Sequence, residues 1–98
     1  MKVYLSKQAE FKLDLILIYL LEEWNLKVKD DFIALLREKI IQISTLPNSC
    51  PKSKVNKEIF KCVLTKQITL YYRINNNDVE IITFFDNRQN PKRKTKLL

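Results

Sequence analysis

Three cations stand where a folded chain commonly places the residues that do chemistry. Lys61 and Arg73 fall at alternating positions of strand-like segments, and Arg88 follows directly after the last such segment. Each could hold a phosphate or meet an acidic surface, and positions just past strand ends often carry binding residues. Each also has a plainer reading: Lys61 as a solvent-facing strand lysine, Arg73 as the cross-strand partner of Glu58 or Glu80, Arg88 as a loop partner of Asp86. Further bases flank them, Lys52, Lys54 and Lys57 in a polar stretch and Lys92, Arg93, Lys94 and Lys96 near the end. Lysine outnumbers arginine fourteen to four. Most of these cations are therefore compact point charges, not the planar forks that grip an oxyanion bidentately.

Two residue types are missing altogether. The 98-residue chain contains no histidine and no glycine. Without histidine it lacks the usual proton shuttle near neutral pH and the commonest zinc ligand. Acid–base chemistry would have to use Lys, Arg, Tyr, Asp or Glu. Without glycine the chain cannot form the phosphate-cradling loops of dinucleotide-binding and P-loop folds. Cys50 and Cys62 cannot complete a zinc site alone and make no disulfide framework, so they read as two reduced thiols. We expect no metal and no cofactor.

The net charge of +7 is unevenly spread. Residues 1–49 carry seven bases and seven acids, whereas residues 50–98 carry eleven bases and four acids. Half of the fold thus suits a polyanionic partner, against the alternative of a solvated basic surface. The start of the chain has no apolar core of the kind a secretory signal needs, and the longest apolar run, Leu15–Leu21, is far too short to span a bilayer. A cytoplasmic protein is expected, with no membrane contact.

These residues need elements to position them. A short strand is expected at 2–5, and Ser6 suits the N-cap of a helix from Lys7 to about Trp24. Ala9, Leu13, Ile16 and Leu20 follow helical spacing there, while Leu15, Ile18 and Leu21 widen the apolar surface beyond one stripe. Asn25 separates a second helix, whose face of Val28, Phe32, Leu35, Leu36, Ile40 and Ile43 ends at Leu46-Pro47. Residues 47–57 form a polar loop, and then the period changes to two. Phe60, Cys62 and Leu64 oppose Ile59, Lys61 and Val63; Ile68, Leu70, Tyr72 and Ile74 oppose Thr69, Tyr71 and Arg73; Val79, Ile81, Thr83 and Phe85 oppose Glu80, Ile82 and Phe84. Tight turns join the three segments into an antiparallel meander, with Asn75–Asn77 supplying the left-handed backbone that glycine would otherwise provide. The order β-α-α-β-β-β predicts one α+β domain over 1–98, a helical hairpin packed on an antiparallel sheet, with a flexible basic tail at about 88–98.

This order and these residues resemble the RelE/ParE toxin superfamily of bacterial type II toxin–antitoxin operons. The resemblance is carried by Ser6, Ala9, Asp14-Leu15, Ile18-Tyr19-Leu20, then Phe32, Leu36, Ile40, Ile43 and Pro47. Ile59-Phe60-Lys61, Val63, Tyr71-Tyr72-Arg73-Ile74 and Asn87-Arg88-Gln89-Asn90-Pro91 extend it along nearly the whole chain. It implies a growth-inhibiting toxin neutralised by a cognate acidic antitoxin, for which Leu15, Ile18 and Leu21 offer apolar surface. RelE-like members cleave mRNA on the translating ribosome, where Lys61 and Arg88 would match cationic site residues. Val63 and Thr69, however, stand where that branch has lysine and arginine, and the tail lacks the C-terminal tyrosine common there. The Asp14-Leu15, Ile18-Tyr19 and Tyr72-Arg73 pattern looks more like the ParE branch, which inhibits DNA gyrase without catalysis. The reading therefore leans to a ParE-like gyrase inhibitor. A RelE-like endoribonuclease is the alternative, and a non-toxic nucleic-acid-binding domain a second.

Overall fold

The computed structural model describes residues 1–87, in the order β1 (Val3–Leu5), α1 (Lys7–Glu23), α2 (Leu26–Thr45), β2 (Phe60–Val63), β3 (Ile68–Asn75) and β4 (Asp78–Asp86). The expected tail, with Arg88, Lys92, Arg93 and Lys94, lies outside the described residues. Both helices start where a short polar side chain can satisfy a free backbone N–H. The Ser6 hydroxyl accepts from the Ala9 amide at 3.0 Å, and the Asn25 carboxamide oxygen accepts from the Val28 amide at 2.9 Å. Leu46 closes α2 immediately before Pro47, where the chain cannot remain helical.

Ser6 does more than cap. Its hydroxyl donates to the Ile82 carbonyl at 2.6 Å and its amide donates to the Ile81 carbonyl at 2.9 Å. One residue thus fixes the start of α1 to the middle of β4. Ser6→Ala is expected to lower stability by about 1–2 kcal/mol through the lost cap and the orphaned carbonyl. Urea unfolding of the two proteins measures this.

The four strands form one sheet in the order β1-β4-β3-β2. The helical hairpin carries the chain from one edge of the sheet to the other, and the meander then returns to β1. β2–β3 and β3–β4 pair antiparallel, as the alternation predicts. β1 instead pairs parallel to β4, with Val3 opposite Val79 and Leu5 opposite Ile81, so the sheet is mixed at that edge. The β3–β4 turn is the expected one: Asn75 pairs with Asp78, and Asn76 and Asn77 between them have φ of 52° and 67°.

One expectation about β4 fails for a local reason. The register passes from Tyr72 opposite Ile81 to Tyr71 opposite Thr83, leaving Ile82 as an extra residue in a β-bulge. The bulge reverses the alternation beyond it. Val79, Ile81 and Phe84 face the helices and join the core, whereas Thr83 and Phe85 turn to the other side with Thr69 and Tyr71. The core on the helix side also holds Ala9, Ile16, Leu20, Phe32, Leu36, Ile43, Leu70 and Tyr72. The second face of the sheet is not a wet one: Thr69, Tyr71, Thr83 and Phe85 are all buried.

Residues 46–59, though outside any named strand, are held tightly against β2 and β3. The Tyr72 hydroxyl donates to the Pro47 carbonyl at 2.8 Å, the Lys61 amide to the Pro51 carbonyl at 2.8 Å, and the Ser53 amide to the Ile59 carbonyl at 2.7 Å. Cys50 and Cys62, read from sequence as separate thiols, are paired as a disulfide with Cα atoms 5.5 Å apart. The loop folds back along β2 and brings the two together, a closure that their spacing of twelve residues does not reveal.

Burial raises the pKa of both Tyr71 and Tyr72; for Tyr72, donors at Cys50 and Ser49 oppose part of the shift. The unfolded chain would ionise these phenols at about pH 10, below the folded protein. Their contribution is therefore complete below pH 10 and is lost as pH rises from there through the folded-state values. Thermal melts are expected to fall over this alkaline range, and less steeply in Tyr71→Phe.

Candidate functional site

The loop and the β2–β3 pair bring together residues that are scattered in sequence. An open cleft of about 490 Å³ is lined by Asn48, Lys52, Lys57, Glu58, Phe60, Arg73, Ile74 and Asn75. Three of its residues, Lys52, Lys57 and Arg73, are among the cations singled out from sequence. Lys52 forms a bridge with Phe60, and its ammonium stands 5.9 Å from the centre of that ring, within cation–π range. Phe60 is buried and stacked on Tyr72 with ring centres 4.9 Å apart, so it serves as a fixed wall of the cleft. Arg73 faces Glu80 across the β3–β4 ladder, and its Nε donates to the Glu80 Oε1 at 2.7 Å. That is one of the two cross-strand partners its position in the alternation suggests, Glu58 being the other.

The other candidates lie elsewhere. Lys61 is half-buried on the second face of the sheet, opposite Tyr71 in the β2–β3 ladder, and does not line the cleft. Among the described residues of that face, Val63 is exposed and apolar, Thr69 and Tyr71 are buried, and Arg73, two places beyond Tyr71, is the second cation. Lys54 is exposed on the loop but lies outside the cleft lining. Tyr71 lines a small cavity of about 120 Å³ with Gln8, Ser53, Asn56 and Thr83, and its buried hydroxyl has no hydrogen-bond partner among the described residues. Among the described residues no group of His, Cys, Asp or Glu side chains could hold a metal ion. No helix among them is long and apolar enough to cross a membrane.

The helices present a second kind of surface. Leu15, Ile18 and Leu21 are 40%, 51% and 45% exposed, so they do not close the protein's own core. Phe11, 61% exposed, precedes Leu15 by four residues and continues the same stripe. Beside it a shallow groove runs between α1 and α2, lined by Asp14, Leu17, Ile18, Leu21 and Lys29. Trp24, for which helix-end packing is the plainer expectation, is 62% exposed on the rim of another apolar groove, with Leu20, Val28, Phe32 and Leu35.

Sequence reasoning missed Asn48, Glu58 and Asn75 as cleft residues. Asn75 could have been found from the turn, because it is the last strand residue before the left-handed pair. Nothing in the loop's composition shows that it doubles back to place Asn48 and Lys52 beside Arg73.

The family comparison accords with this architecture. The profile of the ParE toxin of the type II toxin–antitoxin system parDE matches residues 3–91. The chain belongs to this toxin family, within the RelE/ParE superfamily. No curated protein sequence matches it significantly. Among solved structures, the chromosomal ParDE toxin–antitoxin system from P. aeruginosa superposes with a TM-score of 0.74 at 11% identity, covering 88% of this chain and 95% of that one. A copper-bound mutant toxin from Helicobacter pylori gives a TM-score of 0.64 at 14% identity, covering 91% and 97%. The isolated E. coli RelE toxin gives 0.59 at 12% identity, covering 99% and 98%. At these identities the superpositions establish a shared fold.

Proposed function

We propose that this type II toxin acts as a ParE-like inhibitor of DNA gyrase and is held inactive by an acidic antitoxin covering the α1 stripe. The observation that carries the choice of target is the second face of the sheet around Lys61. Cleaving RNA through its 2′-hydroxyl needs a base, an acid and cations for the developing phosphorane charge. Among the described residues, the surroundings of Lys61 on that face are the apolar Val63, Thr69, the buried Tyr71 and Arg73, whose Nε is engaged by Glu80, so one further cation and no unpaired, accessible base or acid stands beside it. A surface without that set suits a protein that inhibits by binding. The family match to ParE supports the same reading.

The antitoxin surface follows from Phe11, Leu15, Ile18 and Leu21, a contiguous apolar stripe of the sort an amphipathic partner segment covers. The stripe's own helix carries Lys7 and Lys12 against Glu10, Asp14, Glu22 and Glu23, so it is the exposed apolar side chains and not the charge of α1 that recommend this surface. The decisive experiment adds purified protein to gyrase in a DNA supercoiling assay and maps mRNA ends by primer extension in cells expressing the toxin. Inhibited supercoiling with intact mRNA is expected. Full supercoiling activity at excess toxin together with cuts in translated mRNA would replace this reading with the endoribonuclease one.

A further inference from the structure

We propose that the cleft between the 46–59 loop and β3 is a binding site for a nucleotide phosphate, free or within a single strand. The site does not include Lys61 and is separate from the α1 stripe, and the inference holds whichever cellular target the toxin meets. Lys52, Lys57 and Arg73 converge on one cleft with a single acid, Glu58, among its lining residues. The only ion pairs found among the described residues are Lys27–Asp31 and Arg73–Glu80, so neither Lys52 nor Lys57 has a carboxylate partner there. Arg73 uses Nε on Glu80, an arrangement that orients its guanidinium and leaves the two terminal nitrogens to hold an oxyanion side by side. Glu58 in the lining and Glu80 on Arg73 offset only part of the three positive charges, so an anion among Lys52, Lys57 and Arg73 is still favourable.

The cations are also held in advance. The Tyr72–Pro47, Lys61–Pro51 and Ser53–Ile59 hydrogen bonds and the Lys52–Phe60 bridge fix the backbone that bears Lys52. The Ile59 amide donates to the Asn56 carbonyl at 3.1 Å, next to Lys57. A loop already ordered loses little entropy when a ligand arrives.

The remaining groups indicate what accompanies the phosphate. Asn48 and Asn75 can donate and accept, and Glu58 can accept from a sugar hydroxyl or a base amino group. A cleft of about 490 Å³ lies within the range of small-ligand sites and is larger than a bare phosphate requires.

Fluorescence anisotropy with a labelled ten-nucleotide single-stranded RNA, and calorimetry with ATP and with inorganic phosphate, test the proposal on the full chain. The variants are Lys52→Gln/Lys57→Gln, a control Lys27→Gln/Arg37→Gln on α2, and Lys92→Gln/Arg93→Gln/Lys94→Gln. All positions in the first two are exposed cations, and circular dichroism confirms that each variant is folded. The cleft variant is expected to weaken RNA or ATP at least tenfold and to reduce the salt dependence of RNA binding by about 1–2 charges. The α2 control should change affinity less than twofold. Binding of ATP points to a free nucleotide, and binding of RNA alone to a strand. Four results would overturn the proposal: no binding of RNA or ATP, equal weakening by cleft and control variants, loss confined to the 92–94 variant, or a glutamate-rich peptide binding as tightly as RNA. Inorganic phosphate binding as well as ATP would overturn the nucleotide assignment.

Discussion

A Tyr72→Ala protein is expected to lose about 3–5 kcal/mol of stability, enough to leave it largely unfolded at growth temperature. Tyr72 is fully buried in the centre of β3, stacks on Phe60 and donates its hydroxyl to the Pro47 carbonyl. Truncation would open a cavity between the sheet and α2, remove the stacked pair and orphan a carbonyl at once. In a domain of this size the melting temperature should fall by roughly 15–30 °C. The conservative variant separates these contributions. Tyr72→Phe keeps the ring and the packing and loses only the hydrogen bond, so it should cost about 1–2 kcal/mol. Its effect should be concentrated in the loop: amide exchange at residues 48–52 should quicken more than exchange in β4. If Tyr72→Phe matches the alanine variant in stability, the hydroxyl and not the ring is the main contribution.

The second large effect concerns binding. Leu15→Asp and Ile18→Asp place a carboxylate in the middle of the exposed α1 stripe. Both side chains are well exposed, so the fold should change by no more than about 0.5 kcal/mol. A desolvated carboxylate facing an acidic amphipathic partner would instead cost at least about 2 kcal/mol of binding, or roughly 30-fold in affinity. Either variant should therefore remain toxic while escaping neutralisation by co-expressed antitoxin. Co-purification with the tagged antitoxin reads the outcome directly. Retention of wild-type affinity by both variants would place the antitoxin on another surface, and the groove beside Trp24 would be the next to test.

Much of the fold was legible because short-range rules dominate it. Ser6 and Asn25 act as caps, Pro47 follows the end of α2, and the asparagine turn takes the backbone that its residues favour. Each depends on a few adjacent residues. What sequence periodicity missed depends on long-range closure. The extra residue at Ile82 is invisible to alternation, since Ile82, Thr83 and Phe84 read equally well in either phase. Its position is set by Ser6, 76 residues away, which takes the Ile82 carbonyl as a partner. The pairing of Cys50 with Cys62 and the gathering of Lys52 and Arg73 likewise require the loop to fold back. No local composition specifies that return; Tyr72 and the β2 backbone do.

The site was partly legible for the same reason. Alternation narrowed the partner of Arg73 to Glu58 or Glu80, because it lies on a regular strand close to a tight turn, and the β3–β4 ladder places Glu80 opposite it. Lys61, chosen for its mid-strand position, stands apart from the cleft. Lys52 and Lys57, chosen only as supporting charge, proved to share it with Arg73.

The asparagine pair at the β3–β4 turn has a consequence for the unfolded chain. Asn76 and Asn77 are the only positive-φ residues among those described, and the sequence contains no glycine anywhere. Every position thus carries a side chain that narrows the conformations open to the denatured ensemble. Each replacement of glycine at a tolerant position is worth about 0.4–1 kcal/mol through that ensemble alone. A small domain whose interior must also support exposed partner surfaces gains part of its stability in this way, from the disordered side of the equilibrium.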